Sequence, residues 1–188
     1  AGKSVINAAF CRILLQDGYH PAPFKAQNMS LNSYATPDGL ELGRAQAVQA
    51  EACGIDCSSD MNPVLLKPSG EMTSQVVLHG KPMGNQTASQ YFAGDGHQFF
   101  FDEAFGDFER LAHRYSNIVM EGAGSVSEMN LWNRDIVNMR MAKRAGAAVY
   151  LISDIDRGGV FASVYGSVML LPEDERLLIK GIIINKFR

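Results

Sequence analysis

Ala1-Gly2-Lys3-Ser4 places a long cation and a hydroxyl side by side, directly after a glycine. That pairing suits a phosphate chain with a divalent cation: the lysine reaches the terminal phosphates and the serine hydroxyl ligates the metal. It is the second half of G-x-x-x-x-G-K-[ST], a P-loop whose first glycine would lie upstream of residue 1. Gly-Lys-Ser is also an ordinary way into a helix. Further along, four polar groups each follow a short apolar run. Lys25 precedes the amide- and hydroxyl-rich loop Gln27-Asn28-Met29-Ser30-Leu31-Asn32-Ser33, Glu121 precedes Gly122-Ala123-Gly124-Ser125, Asp154 precedes Ile155-Asp156-Arg157-Gly158-Gly159, and Asn185-Lys186 follows Ile184.

Each group has a chemical reading. Lys25 can stabilise charge on a phosphoryl group or carboxylate, although its loop taken in isolation reads as polar surface. Glu121 is a carboxylate at the end of an apolar strand, where a nucleotide-hydrolysing site needs a metal ligand or a group that orients water. The glycines after it permit close backbone approach. Asp154 reads two ways, as a Walker-B-like carboxylate with Arg157 as an anion binder, or as an Asp-initiated turn capping the next helix. Asn185-Lys186 stands where such enzymes often read a nucleotide base, but alone it is only a dipeptide.

The elements that must position these groups alternate. Val5, Ile6, Ala9, Phe10, Ile13 and Leu14 form one face of a helix running to about Gln16, which Asp17-Gly18 stops. Lys3 and Ser4 therefore sit at a helix N-terminus, where free N–H groups and the macrodipole favour anions. Strands are predicted at Pro23–Lys25, Ile118–Met120, Ala148–Ile152 and Gly181–Ile184, with shorter ones at Val64–Leu66 and Gln75–Leu78. Helices are predicted at Glu41–Cys53, Glu103–Tyr115, Asp135–Arg144 and Phe161–Leu171, and loops at Pro68-Ser69-Gly70 and Gly94-Asp95-Gly96. This alternation predicts an α/β fold, a mostly parallel sheet flanked by helices. In such sheets ligands bind beyond the carboxyl ends of the strands, where all four groups fall.

The 188 residues are enough for one domain with a sizeable core. Seventeen Lys+Arg against twenty Asp+Glu give a net charge of −3, so no global charge steers the chain to nucleic acid or an anionic membrane. The longest apolar run, Ala147–Ile152, is far short of the roughly 20 residues of a membrane span. No basic-then-apolar leader is visible, and the expectation is a cytoplasmic protein without membrane or nucleic-acid partners. Cys11, Cys53 and Cys57 read as reduced thiols, and the four histidines form no H-x-x-x-H pair. The opening inside a P-loop and the close just past a core strand suggest a module cut at both ends.

Taken together, Lys25–Ser33 (KAQNMSLNS), Glu41–Gln49 (ELGRAQAVQ), Asp60–Pro68 (DMNPVLLKP), Glu121–Leu131 (EGAGSVSEMNL), Asp135–Met139 (DIVNM), Ser153–Phe161 (SDIDRGGVF) and Gly181–Arg188 (GIIINKFR) resemble the N-terminal synthetase domain of cobyric acid synthases. The likeness spans the chain in the family's order, and dethiobiotin synthetases are broader relatives with a similar P-loop fold. It implies ATP-dependent amidation of corrinoid carboxylates, converting cobyrinic acid a,c-diamide to cobyric acid in cobalamin biosynthesis. Each step would pass through an acyl phosphate. The ammonia would come from glutamine, by way of a C-terminal glutaminase domain of the same polypeptide that these 188 residues do not contain.

The resemblance implies ATP and Mg²⁺ as cofactors and a corrinoid as the partner substrate, with a homodimer as a further expectation. It assigns Gly2, Lys3, Ser4, Val5, Asn185 and Lys186 to the nucleotide, and Ser4 and Glu121 to the metal. Lys3, Lys25 and Glu121 would be catalytic. Gln27, Asn28, Ser30, Asn32, Ser33, Gly122, Ala123, Gly124, Ser125, Asp154 and Arg157 would face the substrate. The chain departs from the pattern in two respects. The upstream half of the P-loop is missing, and the loop after the second strand offers Asn28 and Asn32 where some relatives carry a second metal-binding Asp, which leaves Asp154 or water for that place. The rival reading is a P-loop switch ATPase of the partitioning or scaffold type, binding partner proteins.

Overall fold

The computed structural model describes residues 1–70, 73–87 and 96–187. Helix α1 (Lys3–Gln16) starts at Gly2, whose φ of 81° is left-handed, and ends at Asp17. It leads to β1 (Pro21–Phe24), which pairs in parallel with β8 (Asn117–Met120). A second parallel pair joins β9 (Val149–Asp154) to β10 (Ile179–Asn185). Between β8 and β9 runs a groove of about 890 Å³, also lined by Lys3, Asn7 and Phe10 of α1. The Asn7 amide donates to the Val119 carbonyl at 3.3 Å and pins α1 to β8.

Beyond β1 the backbone bends into β2 (Gln27–Met29), which pairs in parallel with β5 (Val64–Gly70). Strands β5, β6 (Thr73–Leu78) and β7 (Lys81–Thr87) form an antiparallel meander. A small antiparallel pair, β3 (Ser33–Ala35) with β4 (Glu41–Gly43), feeds α2 (Arg44–Cys53). The helix α3 (Gly96–Arg114) turns Phe100, Phe101, Ala104, Phe105 and Leu111 into a core shared with Phe24, Met61 and Val64. Burial of each of the larger of these side chains (Phe, Leu, Met or Val) stabilises the fold by about 1.5–3 kcal/mol. After β8 come α4 (Met139–Ala145), α5 (Val160–Leu170), a single turn α6 (Glu173–Arg176) and β10.

The α/β class and the parallel pairing of the strands that carry Glu121 and Asp154 agree with the sequence reading, but several boundaries move. Glu41–Gly43 is strand, because it zips onto Ser33–Ala35. Asp135–Asn138 precedes α4 as a turn, since the Asp135 carboxylate accepts the N–H groups of Val137 and Asn138 at 2.9 and 3.0 Å. Pro68-Ser69-Gly70 continues β5 with a register shift, and the short strand at Gln75–Leu78 lies in an antiparallel meander, which with the β3–β4 pair departs from the mostly parallel scheme. The loop predicted at Gly94-Asp95 lies outside the described residues, and Gly96 opens α3. No helix among the described residues is long and apolar enough to cross a membrane.

Candidate nucleotide and carboxylate site

The N-terminal turn of α1, the end of β1 and the end of β8 converge on one carboxylate. Glu121 is buried, and its Oε1 accepts from the Ser4 hydroxyl at 2.7 Å and from Lys25 Nζ at 3.0 Å. Its Oε2 accepts from Gln49 Nε2 at 2.7 Å. Lys25 is itself buried, so this is an ion pair inside the protein. Such a pair is tolerable only when its remaining hydrogen-bonding capacity is filled, as Ser4 and Gln49 do here. The β1–β8 pairing brings this about. It sets Phe24 opposite Met120, so the next residues, Lys25 and Glu121, emerge together, and Glu121 N–H bonds the Phe24 carbonyl at 2.8 Å.

Lys3 lies beside this centre. Its ammonium donates to the Gly124 carbonyl at 2.7 Å. Burial, with the Lys25 charge adding to it, lowers the Lys3 pKa below the ordinary lysine value. The first intrahelical bond of α1 runs from Ile6 N–H to the Gly2 carbonyl at 3.1 Å. The N–H groups of Lys3, Ser4 and Val5 thus precede the helix's own acceptors, and no side chain caps them. Two ammoniums and open helix N–H groups converge here, which favours a polyanion.

Gly2 is where backbone freedom matters. A Cβ there would meet Asn185 Nδ2 at 2.7 Å, and the positive φ would strain it. Asn185 donates to the Ala1 carbonyl at 2.9 Å, so the end of β10 abuts the start of α1. Lys186 bonds Asp154 Oδ2 at 2.7 Å, and Asp154 Oδ1 accepts the Asp156 N–H at 3.0 Å. Asp154 is therefore a turn cap paired with Lys186 on the Asn185 side of the site. Neither Ser4 nor Glu121 is among its hydrogen-bond partners. Arg157, in the 3₁₀ turn that follows, is exposed.

The loop after β8 is built on side chains that sequence reasoning did not single out. Asn138 accepts the Ala123 N–H at 3.0 Å and donates to the Ala123 carbonyl at 2.8 Å. A Cβ on Gly122 would stand 2.4 Å from Asn138 Oδ1. Ser125 N–H bonds Glu128 Oε1 at 2.8 Å, and its hydroxyl faces Ser127. The close approach that these glycines allow is thus first an approach to Asn138 and Glu128.

The loop predicted over Gln27–Ser33 is not one loop: Gln27–Met29 is β2, held by its pairing with β5, and Ser33 opens β3. Asn28 turns inward and donates to Gln46 Oε1 at 3.2 Å, buried away from solvent. The Ser30 hydroxyl closes a local turn with Asn32, and Ser33 sits in β3 with its side chain on Glu41. Met29 and Leu31 are exposed beside them, and Gln27 is half-buried. Asn62, fully buried, donates to the carbonyls of Lys25 and Val64 at 3.0 Å each and fixes the bend that delivers Lys25. Gln46, Gln49 and Asn62 lie within the stretches that carry the resemblance. The signal for the two glutamines was their i, i+3 spacing among Ala47, Ala50 and Cys53, on the face of α2 that is buried.

The donor set suits a hard cation. A serine hydroxyl and a carboxylate 2.7 Å apart offer the one or two protein oxygens that Mg²⁺ takes alongside phosphate and water. Among the described residues no group of three or more His, Cys, Asp or Glu could hold a metal by itself. Cys11 and Cys53 are free thiols that hydrogen-bond each other, which raises the Cys11 pKa.

The chain is 68% identical over 187 residues to a cobyric acid synthase of Bacteroides fragilis, covering 100% of this chain and 38% of that protein. Likeness to the cobyric acid synthase of Parabacteroides distasonis is 66%, with 38% of that protein covered, and to that of Lachnoclostridium phytofermentans 57%, with 36% covered; each again covers 100% of this chain. The chain thus spans well under half the length of these curated relatives. No solved structure matches it. The family model for the CobQ/CobB/MinD/ParA nucleotide binding domain matches residues 1–188, and the chain belongs to that family.

Proposed function

We propose that this chain is the ATP-using part of a cobyric acid synthase, amidating carboxylate side chains of a corrinoid. One observation carries the reading: Ser4, Lys25 and Lys3 gather around Glu121 at the helix N-terminus, in a chain whose relatives at 55–68% identity are named cobyric acid synthase. A carboxylate is a poor electrophile, and its oxygen a poor leaving group, until it is phosphorylated. The open N–H groups of α1 and Lys3 hold the β- and γ-phosphates of ATP. Lys25 offsets repulsion between the incoming carboxylate and the triphosphate. Ser4 and Glu121 hold Mg²⁺, which neutralises charge on the phosphates when bound.

The corrinoid carboxylate oxygen attacks the γ-phosphorus and ADP leaves. Ammonia then attacks the acyl carbon and inorganic phosphate departs, leaving the amide. The relatives extend well beyond the matched residues, which leaves room in the same polypeptide for a region that releases ammonia from glutamine. Asn185 faces the nucleotide base, and the exposed part of the Gln27–Ser33 segment, with Arg157, faces the substrate. The test uses the full-length polypeptide with ATP, Mg²⁺ and ammonium, with and without cobyrinic acid a,c-diamide. Stimulation of ADP release by the corrinoid supports the reading. Release indifferent to it supports a switch ATPase.

A further inference from the structure

We infer that Gln49 is a positioning residue: it holds one oxygen of Glu121 so that the other stays turned toward Ser4, and so sets the affinity of the site for a divalent cation. The inference rests on the reading of Ser4 and Glu121 as the magnesium-holding pair. Gln49 lies on α2, is 1% exposed, and touches both members of that pair. Its Nε2 donates to Glu121 Oε2 at 2.7 Å and to the Ser4 carbonyl at 3.2 Å. Both partners only accept, so the amide nitrogen must face them. Its Oε1 is buried with no hydrogen-bond partner. A side chain buried for packing alone is ordinarily apolar or fully paired, and Gln49 is neither.

The geometry says what this orientation does. Glu121 Oε1 is shared by the Ser4 hydroxyl and Lys25 Nζ. When the pair holds a cation, Oε1 must turn to the cation as the serine lone pair does, and Lys25, which shares that oxygen, competes to draw the carboxylate to itself. The hydrogen bond from Gln49 to Oε2 opposes that rotation. The same side chain ties the first turn of α1 to α2 through the Ser4 carbonyl, so donor and carboxylate stay in register. Groups that orient metal ligands in this way typically change metal affinity about 10–100-fold when removed.

The experiment measures ADP affinity of the full-length polypeptide by titration calorimetry, in EDTA and in excess Mg²⁺. In Gln49→Met, of similar volume but without donors, the strengthening of ADP binding by Mg²⁺ falls ~10-fold or more. Affinity in EDTA stays within about twofold of the parent, since the Lys3 and α1 contacts remain. Gln49→Leu behaves alike and serves if the first variant folds poorly. Undiminished strengthening in both variants overturns the inference, as does an equal loss of affinity in EDTA, which would mark a purely structural residue. Glu121→Gln is the reference. If it keeps the full Mg²⁺ effect, the metal reading fails, and the inference with it.

Discussion

The Ser4 hydroxyl meets Glu121 Oε1 at 2.7 Å, joining the first turn of α1 to the end of β8 across 117 residues of sequence. Lys25 shares that oxygen from the end of β1. An uncapped helix start, a buried carboxylate and a buried ammonium therefore form one unit, and a change at any of them is felt by the others.

Removing the ammonium in Lys25→Ala leaves a buried carboxylate without its counter-charge. The unfolding free energy falls by about 3–5 kcal/mol. Lys25→Met combined with Glu121→Leu recovers most of that loss, because neither charge is then buried, yet forms no ADP. Urea unfolding of parent, single and double variants checks this. Equal stability in all three would contradict it.

The lowered Lys3 pKa gives nucleotide binding an alkaline limit. Burial and the Lys25 charge depress it, and a bound polyanion restores it. Affinity for ADP is thus full below the depressed value and declines as pH rises through it, earlier than an ordinary lysine near 10.4 would allow. In Lys3→Arg, whose guanidinium keeps its charge, the alkaline decline disappears. Titrations across the alkaline range read both curves.

Gly122→Ala sets a Cβ 2.4 Å from Asn138 Oδ1 and displaces the side chain that clamps Ala123. Turnover falls by up to about 100-fold through misplacement of the loop after Glu121. Gly166→Ala on α5, where nothing lies within 4 Å, leaves turnover unchanged and adds up to about 1 kcal/mol of stability. Steady-state rates and thermal midpoints of the two variants make the comparison.

A second ionic cluster sits away from the site. His79, in the β6–β7 turn, reaches Asp107 at 2.9 Å and Glu103 at 2.7 Å on α3, and Arg110 joins Asp107 to Asp60. Burial pulls the His79 pKa down, but its bonds to Glu103 and Asp107 outweigh that and raise it above 6.5. Its stabilisation is therefore full below about pH 6.5 and is lost as pH rises through the raised value. Asp107 is pushed from 3.8 up to about 6, chiefly by burial, and adds a loss of the same sign between those values. Thermal midpoints against pH should fall across neutrality in the parent and lie flatter there in His79→Gln.

What the sequence could reveal follows from which forces are local. The strands β8, β9 and β10 are apolar runs ended by Glu121, Asp154 and Asn185-Lys186, and their period and punctuation locate them without tertiary knowledge. Ser4, Lys25 and Glu121 were nameable because each ends or begins an element. The β5–β7 meander was hidden because Pro68-Ser69-Gly70 carries turn residues inside a strand that its partner β6 holds in place. Gln49, Asn62 and Asn138 were hidden for a different reason. A polar side chain on a helix or loop reads as solvated until long-range packing buries it, and here that packing gives each a partner more than a dozen residues away. Asn28 shows the converse: a loop amide that reads as substrate-facing turns inward once Gln46 offers it an acceptor.

The most direct test follows oxygen. The full-length polypeptide is given ATP, Mg²⁺, ammonium and cobyrinic acid a,c-diamide whose carboxylates carry ¹⁸O, and the released inorganic phosphate is analysed by mass. Activation through an acyl phosphate predicts one ¹⁸O delivered to phosphate for each ADP formed. Phosphate without ¹⁸O, its fourth oxygen taken from solvent, would mean that water, not the corrinoid carboxylate, attacks ATP, and would contradict the account.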